Sequence, residues 1–149
     1  MGQACIGVTV MPQAPAVVES LPCSLDGIQI LVADDYAPWR AAVRTLLEHL
    51  IAGATVLEAC DGLEAVQAAE KQQPDVVILD ISMPRLNGIE AAKQIRKLSP
   101  DSQIVFLSGI TDEDIVNAAL QTGATGYVLK RDMSKELVPI VKAALLSHS

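Results

Sequence analysis

From Gly27 onward, short apolar runs alternate with stretches whose apolar positions recur at helical spacing. Residues 28–33 (IQILVA) read as a buried strand that gives way to the polar pair Asp34-Asp35. Pro38 follows where a helix would begin, a position that needs no backbone N–H. Ala42, Leu46, Leu47 and Leu50 then supply a helical stripe ending near Gly53. Residues 54–59 (ATVLEA) predict a second strand, broken by Asp61-Gly62, and residues 63–73 an amphipathic helix closed by Pro74. Residues 76–79 (VVIL) are apolar at every position, as a central parallel strand with both faces covered should be.

The alternation continues to the C-terminus. A helix is predicted over residues 88–98, ended by Ser99-Pro100, and a fourth strand over 104–107 with Ser108-Gly109 as its exit. Thr111 or Asp112 caps a helix running to Thr122, with Gly123 as its stop. Residues 126–129 (GYVL) form a fifth strand, and residues 133–146 a last helix in which Pro139 is tolerated with a local kink. Five βα units joined by right-handed crossovers give an α/β fold, a doubly wound five-stranded parallel sheet with helices on both faces.

Residues 1–25 differ in kind. They hold Pro12, Pro15 and Pro22, a single charged residue (Glu19) and no sustained period. The expectation is a disordered arm, with residues 6–10 docking as an extra strand as the alternative.

Composition narrows the classes. The chain has 149 residues, half of them hydrophobic, enough for one domain. Aromatics are only 3%, so the core must be aliphatic. A formal charge of -7, with Arg40 as the first basic residue, argues against direct binding to nucleic acid or an anionic membrane. Cys5, Cys23 and Cys60 show no metal-ligand spacing, and Cys60 is expected in the core. Unpaired thiols, the lack of a basic leader and the lack of a long apolar run point to the cytoplasm.

In an open α/β sheet, ligands sit at the carboxyl ends of the strands. The polar residues falling there are Asp34 and Asp35, Asp80, Ser108 and Lys130. At a separation of ~5 Å and an effective dielectric of about 20, each pair of carboxylates repels by about 3 kcal/mol. A hard divalent cation offsets that best, and Mg²⁺ suits a site that also receives phosphoryl oxygens. A nucleophilic carboxylate beside such a cation and a lysine is what phosphoryl transfer to aspartate requires.

The stretches ILVADD, VVILDISMPRLNGIEAAKQIR, IVFLSG and GYVLK resemble the receiver domains of bacterial two-component response regulators, in order, from Ile28 to about Leu146. The run GATGYVLK followed by ELVPIVKAAL resembles most the receivers of LuxR/NarL-type transcription regulators. The resemblance implies a CheY-like fold with the flavodoxin-like strand order 2-1-3-4-5 and a receiver domain over residues 26–147. It makes Asp80 the phosphoacceptor and Mg²⁺ the cofactor, held by Asp35, by Asp34 through water, by Asp80 and by the Ser82 backbone carbonyl. Ser108 and Lys130 would hold the phosphoryl oxygens, Gly109 would leave room for phosphoryl access, and Tyr127 would be the switch aromatic. The implied partner is a histidine kinase or phosphotransfer protein.

A phosphorylation-dependent switch is therefore expected, not an enzyme beyond its own phosphoryl transfer and slow self-dephosphorylation. It would act through the face of strand four, helix four, strand five and helix five on a partner, on a second copy of itself or on a DNA-binding output domain. No output domain is read in this chain, which is either a stand-alone receiver or a piece of a longer regulator. Two alternatives remain: an aspartyl-nucleophile phosphohydrolase, disfavoured because Ser82 stands where that chemistry wants a second Asp, and a phosphorylation-independent docking module.

Overall fold

The computed structural model describes residues 27–148, so the expectations for the N-terminal arm lie outside the described residues. Five strands, β1 (Gln29–Ala33), β2 (Thr55–Ala59), β3 (Val76–Leu79), β4 (Gln103–Ser108) and β5 (Gly126–Leu129), form one parallel sheet in the order β2-β1-β3-β4-β5. Helices α1 (Ala37–Leu50), α2 (Gly62–Gln72), α3 (Gly88–Leu98), α4 (Glu113–Leu120) and α5 (Met133–His148) connect and follow them. The fold class and strand order are those expected. No helix among the described residues is long and apolar enough to cross a membrane.

The period of two along each strand divides the core between the faces. Ile30, Val32, Ile78, Val105, Leu107 and Val128 meet Val43 and Leu47 of α1 and Leu137, Val141 and Ala144 of α5. On the other face, Leu31, Val77, Leu79, Ile104 and Phe106 meet the alanine-rich sides of α2, α3 and α4, including Ala65, Ala69, Ala91, Ala92 and Ala119. Alanines there let the helices lie close to the sheet. Each fully buried Leu, Ile or Val contributes about 1.5–3 kcal/mol relative to exposure, which makes this double-sided core the main source of stability.

The buried stripe of α1 is centred on Val43 and Leu47, with Ile51 beyond its end, while Ala42 and Leu50 face solvent. The expected stripe was therefore rotated by part of a turn. The helix before Pro74 ends one residue early, because Gln73 takes a left-handed conformation and its amide bonds the carbonyls of Ala69, Glu70 and Leu98. Asp112, not Thr111, caps α4, accepting from the N–H groups of Asp114 and Ile115. That helix stops at Leu120, since Thr122 turns its hydroxyl back to the Ala119 carbonyl and Gly123 takes a positive φ. Cys60 corrects the expectation of a core thiol: it is exposed, just past the end of β2, which is the sheet edge among the described residues.

The strand ends are aligned by the register. Ala33 stands opposite Ala59 and Leu79, Leu79 opposite Phe106, and Ser108 opposite Leu129. The residues immediately following β1, β3 and β5 therefore emerge along one rim. Gly88 fixes the approach of α3 to this rim, because a Cβ there would fall on the backbone carbonyl of Asp80 and crowd the Cα of Ile81. Gly88→Ala is expected to destabilise the fold by about 3 kcal/mol and lower its melting temperature by roughly 10 °C. A calorimetric melt within a degree or two of wild type would show that α3 can retreat without cost.

Candidate functional site

Asp34 leaves β1 into a turn that fixes its carboxylate. Its Oδ1 accepts from the Tyr36 N–H at 2.9 Å, and its own N–H donates to the Ala59 carbonyl at 3.2 Å. Arg40, one turn into α1, donates to the Asp34 carbonyl at 2.7 Å while pairing with Glu58 of β2 at 2.8 Å. The acidic turn is thus tied to the helix that follows it and to the edge strand. Asp34 is buried at 3% exposure, whereas Asp35 faces solvent.

Asp80 directly follows β3, between Asp34 and Ser108 along the rim. Its N–H donates to the Ala33 carbonyl at 3.0 Å, and its Oδ1 accepts from the Ile81 N–H at 2.7 Å. Lys130, directly after β5, places Nζ 2.8 Å from Oδ2 of Asp34 and 3.2 Å from Oδ2 of Asp80. The same ammonium lies 5.3 Å from the centre of the half-buried Trp39 ring. Burial raises the Asp80 carboxyl above its ordinary value; the Lys130 charge opposes that shift and the Asp34 charge adds to it. Burial works against the Lys130 ammonium, but Asp34 and Asp80 together hold it above its usual value.

Oxygens of Asp34, Asp35 and Asp80 all lie within 4.8 Å of one another. Three carboxylates against one ammonium leave two negative charges unmatched at the rim. The donors are all hard oxygens, with neither imidazole nor thiolate among them, so they fit a small hard divalent cation such as Mg²⁺. A second group, Cys60, Asp61 and Glu64, has another explanation. Asp61 caps α2 through the Glu64 N–H, and Glu64 reaches back to the Cys60 N–H, a reciprocal capping arrangement.

Ser108 and Tyr127 interact through their side chains and also meet at Ile110. The Ser108 hydroxyl, buried at the end of β4, accepts from the Ile110 N–H at 3.2 Å, and the Tyr127 hydroxyl donates to the Ile110 carbonyl at 2.8 Å. The two residues therefore grip one residue of the β4–α4 loop from its two backbone ends. Tyr127 is half-buried, with its ring stacked at 6.2 Å on Phe106. Ser82 is exposed on the loop after Asp80, and open space surrounds the position a Gly109 side chain would take.

The structure thus gathers Asp34, Asp35, Asp80 and Lys130 into one cluster and sets Ser108 and Tyr127 beside it, joined through Ile110. Sequence reasoning missed Arg40 and Ile110 in these supporting roles. An arginine in the first turn of a helix after an acidic pair was the available signal for Arg40; Ile110 acts through its backbone and left none. Chemically, the cluster offers a shielded carboxylate whose charge is partly cancelled, two further carboxylates beside it that could hold a cation, and open space over Gly109 among the described residues.

The description of the response regulator receiver domain matches residues 30–142. Transcriptional regulatory protein DegU of Brevibacillus brevis is 38% identical over 115 residues, covering 77% of this chain and 49% of that protein. Oxygen regulatory protein NreC of Staphylococcus epidermidis is 35% identical over 116 residues, covering 77% and 53%. The chain therefore spans about half the length of these curated relatives. Among solved structures, the response regulator domain of Thermotoga maritima CheB superimposes with a TM-score of 0.73 at 35% identity, covering 79% of this chain and 96% of that one. A LuxR-family two-component response regulator from an Aurantimonas species gives 0.75 at 32% identity, covering 80% and 85%.

Proposed function

This chain belongs to the response regulator receiver domain family, the phosphorylation-dependent signalling module of two-component systems, and from that premise we propose that Asp80 is its phosphoacceptor. The observation that carries the assignment is the Asp80 carboxylate itself: buried at the end of a central strand, under the Lys130 ammonium, with two further carboxylates within 4.8 Å. A carboxylate oxygen of Asp80 forms a bond to phosphorus as the bond from phosphorus to the donor's histidine nitrogen breaks, and the electron pair leaves with the imidazole.

Asp34, Asp35, Asp80 and the Ser82 carbonyl would hold Mg²⁺, which when bound supplies positive charge beside the phosphoryl oxygens. The chain's own residues do the rest. Lys130 exchanges its contacts with Asp34 and Asp80 for a phosphoryl oxygen. Ser108 turns its hydroxyl from the Ile110 N–H to another phosphoryl oxygen, which frees the Ile110 peptide and with it the Tyr127 hydroxyl. The aspartyl phosphate thereby favours a conformer in which the β4–α4 loop and Tyr127 have moved.

That shift reaches a shallow groove lined by Val116, Leu120, Gly126, Tyr127 and Leu129 on the α4–β5 side. We place the output contact there: a second copy of the chain, a partner, or a DNA-binding output domain. The phosphodonor is a histidine kinase or phosphotransfer protein, and the compartment is the cytoplasm.

Incubation with Mg²⁺ and acetyl phosphate is expected to add one phosphoryl group, read by intact mass, with none added in EDTA. The adduct should persist for minutes or longer, because apolar Ile110 flanks the approach of water. Uptake independent of a divalent cation would overturn the metal assignment, and decay within seconds would overturn the shielding by Ile110.

A further inference from the structure

The loop between β3 and α3 folds tightly. The N–H groups of Met83 and Gly88 both donate to the Ile81 carbonyl, at 3.1 and 2.8 Å, and the Leu86 N–H donates to the Pro84 carbonyl at 2.7 Å. To make this turn, Arg85 adopts a φ of 66°, in the left-handed region that a residue with a Cβ enters at a cost. Among the described residues, Gln73 is the other non-glycine residue with positive φ, and its side-chain amide is anchored to three carbonyls.

Arg85 has an anchor of a different kind. Its Nε and Nη2 both stand 2.8 Å from Oδ2 of Asp61. Asp61 is buried at 6% exposure, and its other oxygen is committed to the Glu64 N–H at 2.8 Å as the cap of α2. The carboxylate is thus fixed, while the exposed Arg85 side chain reaches over to it. Gly62, the next residue, lets the start of α2 meet the Leu86 backbone directly, since a Cβ there would collide with that carbonyl. The whole turn is therefore pinned to the N-terminus of α2, and it is the same loop that starts at Asp80 and carries Ser82.

Resting on the reading of Asp80 and Ser82 given above, we infer that Arg85 is a positioning residue, whose ion pair with Asp61 holds the left-handed turn and so fixes where the Ser82 carbonyl stands relative to the three carboxylates. A residue with this role sets affinity for the cation more than the rate once the cation saturates. Glycine adopts the turn without the anchor, so the need for Asp61 exists only while residue 85 carries a side chain.

The test uses the full chain, with Mg²⁺ as the titrant. Affinity is read by calorimetry and Trp39 fluorescence, loop opening by amide exchange over residues 82–87 without metal, and phosphoryl uptake from acetyl phosphate at saturating Mg²⁺. Arg85→Ala and Asp61→Asn should each weaken Mg²⁺ binding about tenfold and speed exchange of the loop. The saturated rate should stay within about twofold of wild type, and the double variant should be no worse than either single one. Asn keeps an oxygen for the Glu64 N–H, so the cap survives that change. Arg85→Gly should bind Mg²⁺ within about twofold of wild type, and adding Asp61→Asn to it should change nothing further.

The inference is overturned if Arg85→Ala binds Mg²⁺ as wild type does, or if Arg85→Gly weakens binding as much as Arg85→Ala. Failure of wild type itself to bind Mg²⁺ or take up a phosphoryl group is a separate result, which would sink the reading of the site along with the role given to Arg85.

Discussion

Asp80→Asn is expected to reduce phosphoryl uptake by at least about 100-fold while making the metal-free protein more stable by about 1 kcal/mol. The two effects share one cause. In the proposed function the ionised carboxylate is the nucleophile, and it is also a buried charge facing Asp34, only partly compensated by Lys130. Asparagine keeps an oxygen for the Ile81 N–H and removes the charge. The pH dependence follows from the direction of the shift. The folded-state value of Asp80 lies above its unfolded value, so its ionisation costs stability at any pH above the folded value. As pH falls from that value toward the unfolded one the folded carboxyl takes up a proton, and the cost shrinks until it is gone below the unfolded value.

The stability gap between variant and wild type should therefore be widest at neutral pH and close on acidification. Glu58 behaves oppositely: hydrogen bonds from Arg44 and Arg40 hold it below its ordinary value. Its stabilisation, present above the unfolded value, is lost as pH falls through the folded one, in both proteins alike, so the difference curve cancels it. Chemical denaturation at several pH values, with and without Mg²⁺, measures this. Mg²⁺ should stabilise wild type and hardly affect the variant. An Asn variant that unfolds more easily than wild type at neutral pH without metal would remove the charge-repulsion account. One that takes up phosphoryl at an undiminished rate would remove Asp80 as the acceptor.

The parts of this site that the sequence disclosed are those in which a side chain acts at a strand end. Asp34, Asp80 and Lys130 could be placed because an apolar strand of known direction ends just before each. Parallel pairing then carries them to one rim whatever the details of the helices. The helix faces were less legible. In α1 the apolar residues Ala42, Val43, Leu46, Leu47 and Leu50 fill one continuous arc of about 140°, so periodicity alone could not choose Val43 and Leu47, at one side of that arc, as the buried line. The contact with α5, which sequence cannot supply, makes that choice.

Cys60 was misplaced for a similar reason. A thiol following an apolar strand is ordinarily buried, but β2 is the sheet edge, so the residue beyond its last paired position opens to solvent. The least legible contributions were those of backbone groups and long-range anchors. Ile110 links Ser108 to Tyr127 through its own N–H and carbonyl. The pairing of Asp61 with Arg85 joins residues that are distant in the chain and meet only because Gly62 lets two backbones touch.

The second large effect concerns Lys130, whose ammonium contacts both buried carboxylates. Lys130→Met, which keeps most of the aliphatic stem, should destabilise the metal-free protein by about 2–3 kcal/mol at neutral pH. Loss of one partner from a fully buried ion pair costs about 3–5 kcal/mol; the Lys130 side chain retains 25% exposure, so the smaller figure applies. Without the ammonium, only the Ile81 N–H bond is left to oppose burial and the Asp34 charge in raising the Asp80 carboxyl. The pH below which Asp80 is protonated, and its cost relieved, should therefore move further upward. Acidification then recovers part of the lost stability, and saturating Mg²⁺ recovers most of it, because a divalent cation among the same oxygens replaces the missing charge. Phosphoryl uptake at saturating Mg²⁺ should still fall about tenfold or more, since no ammonium remains to meet the phosphoryl oxygen. Urea titrations across pH, with and without Mg²⁺, would separate these contributions. An ordinary surface lysine would leave all of those curves superimposed on wild type, and that result would exclude Lys130 as the charge that holds the acidic cluster together.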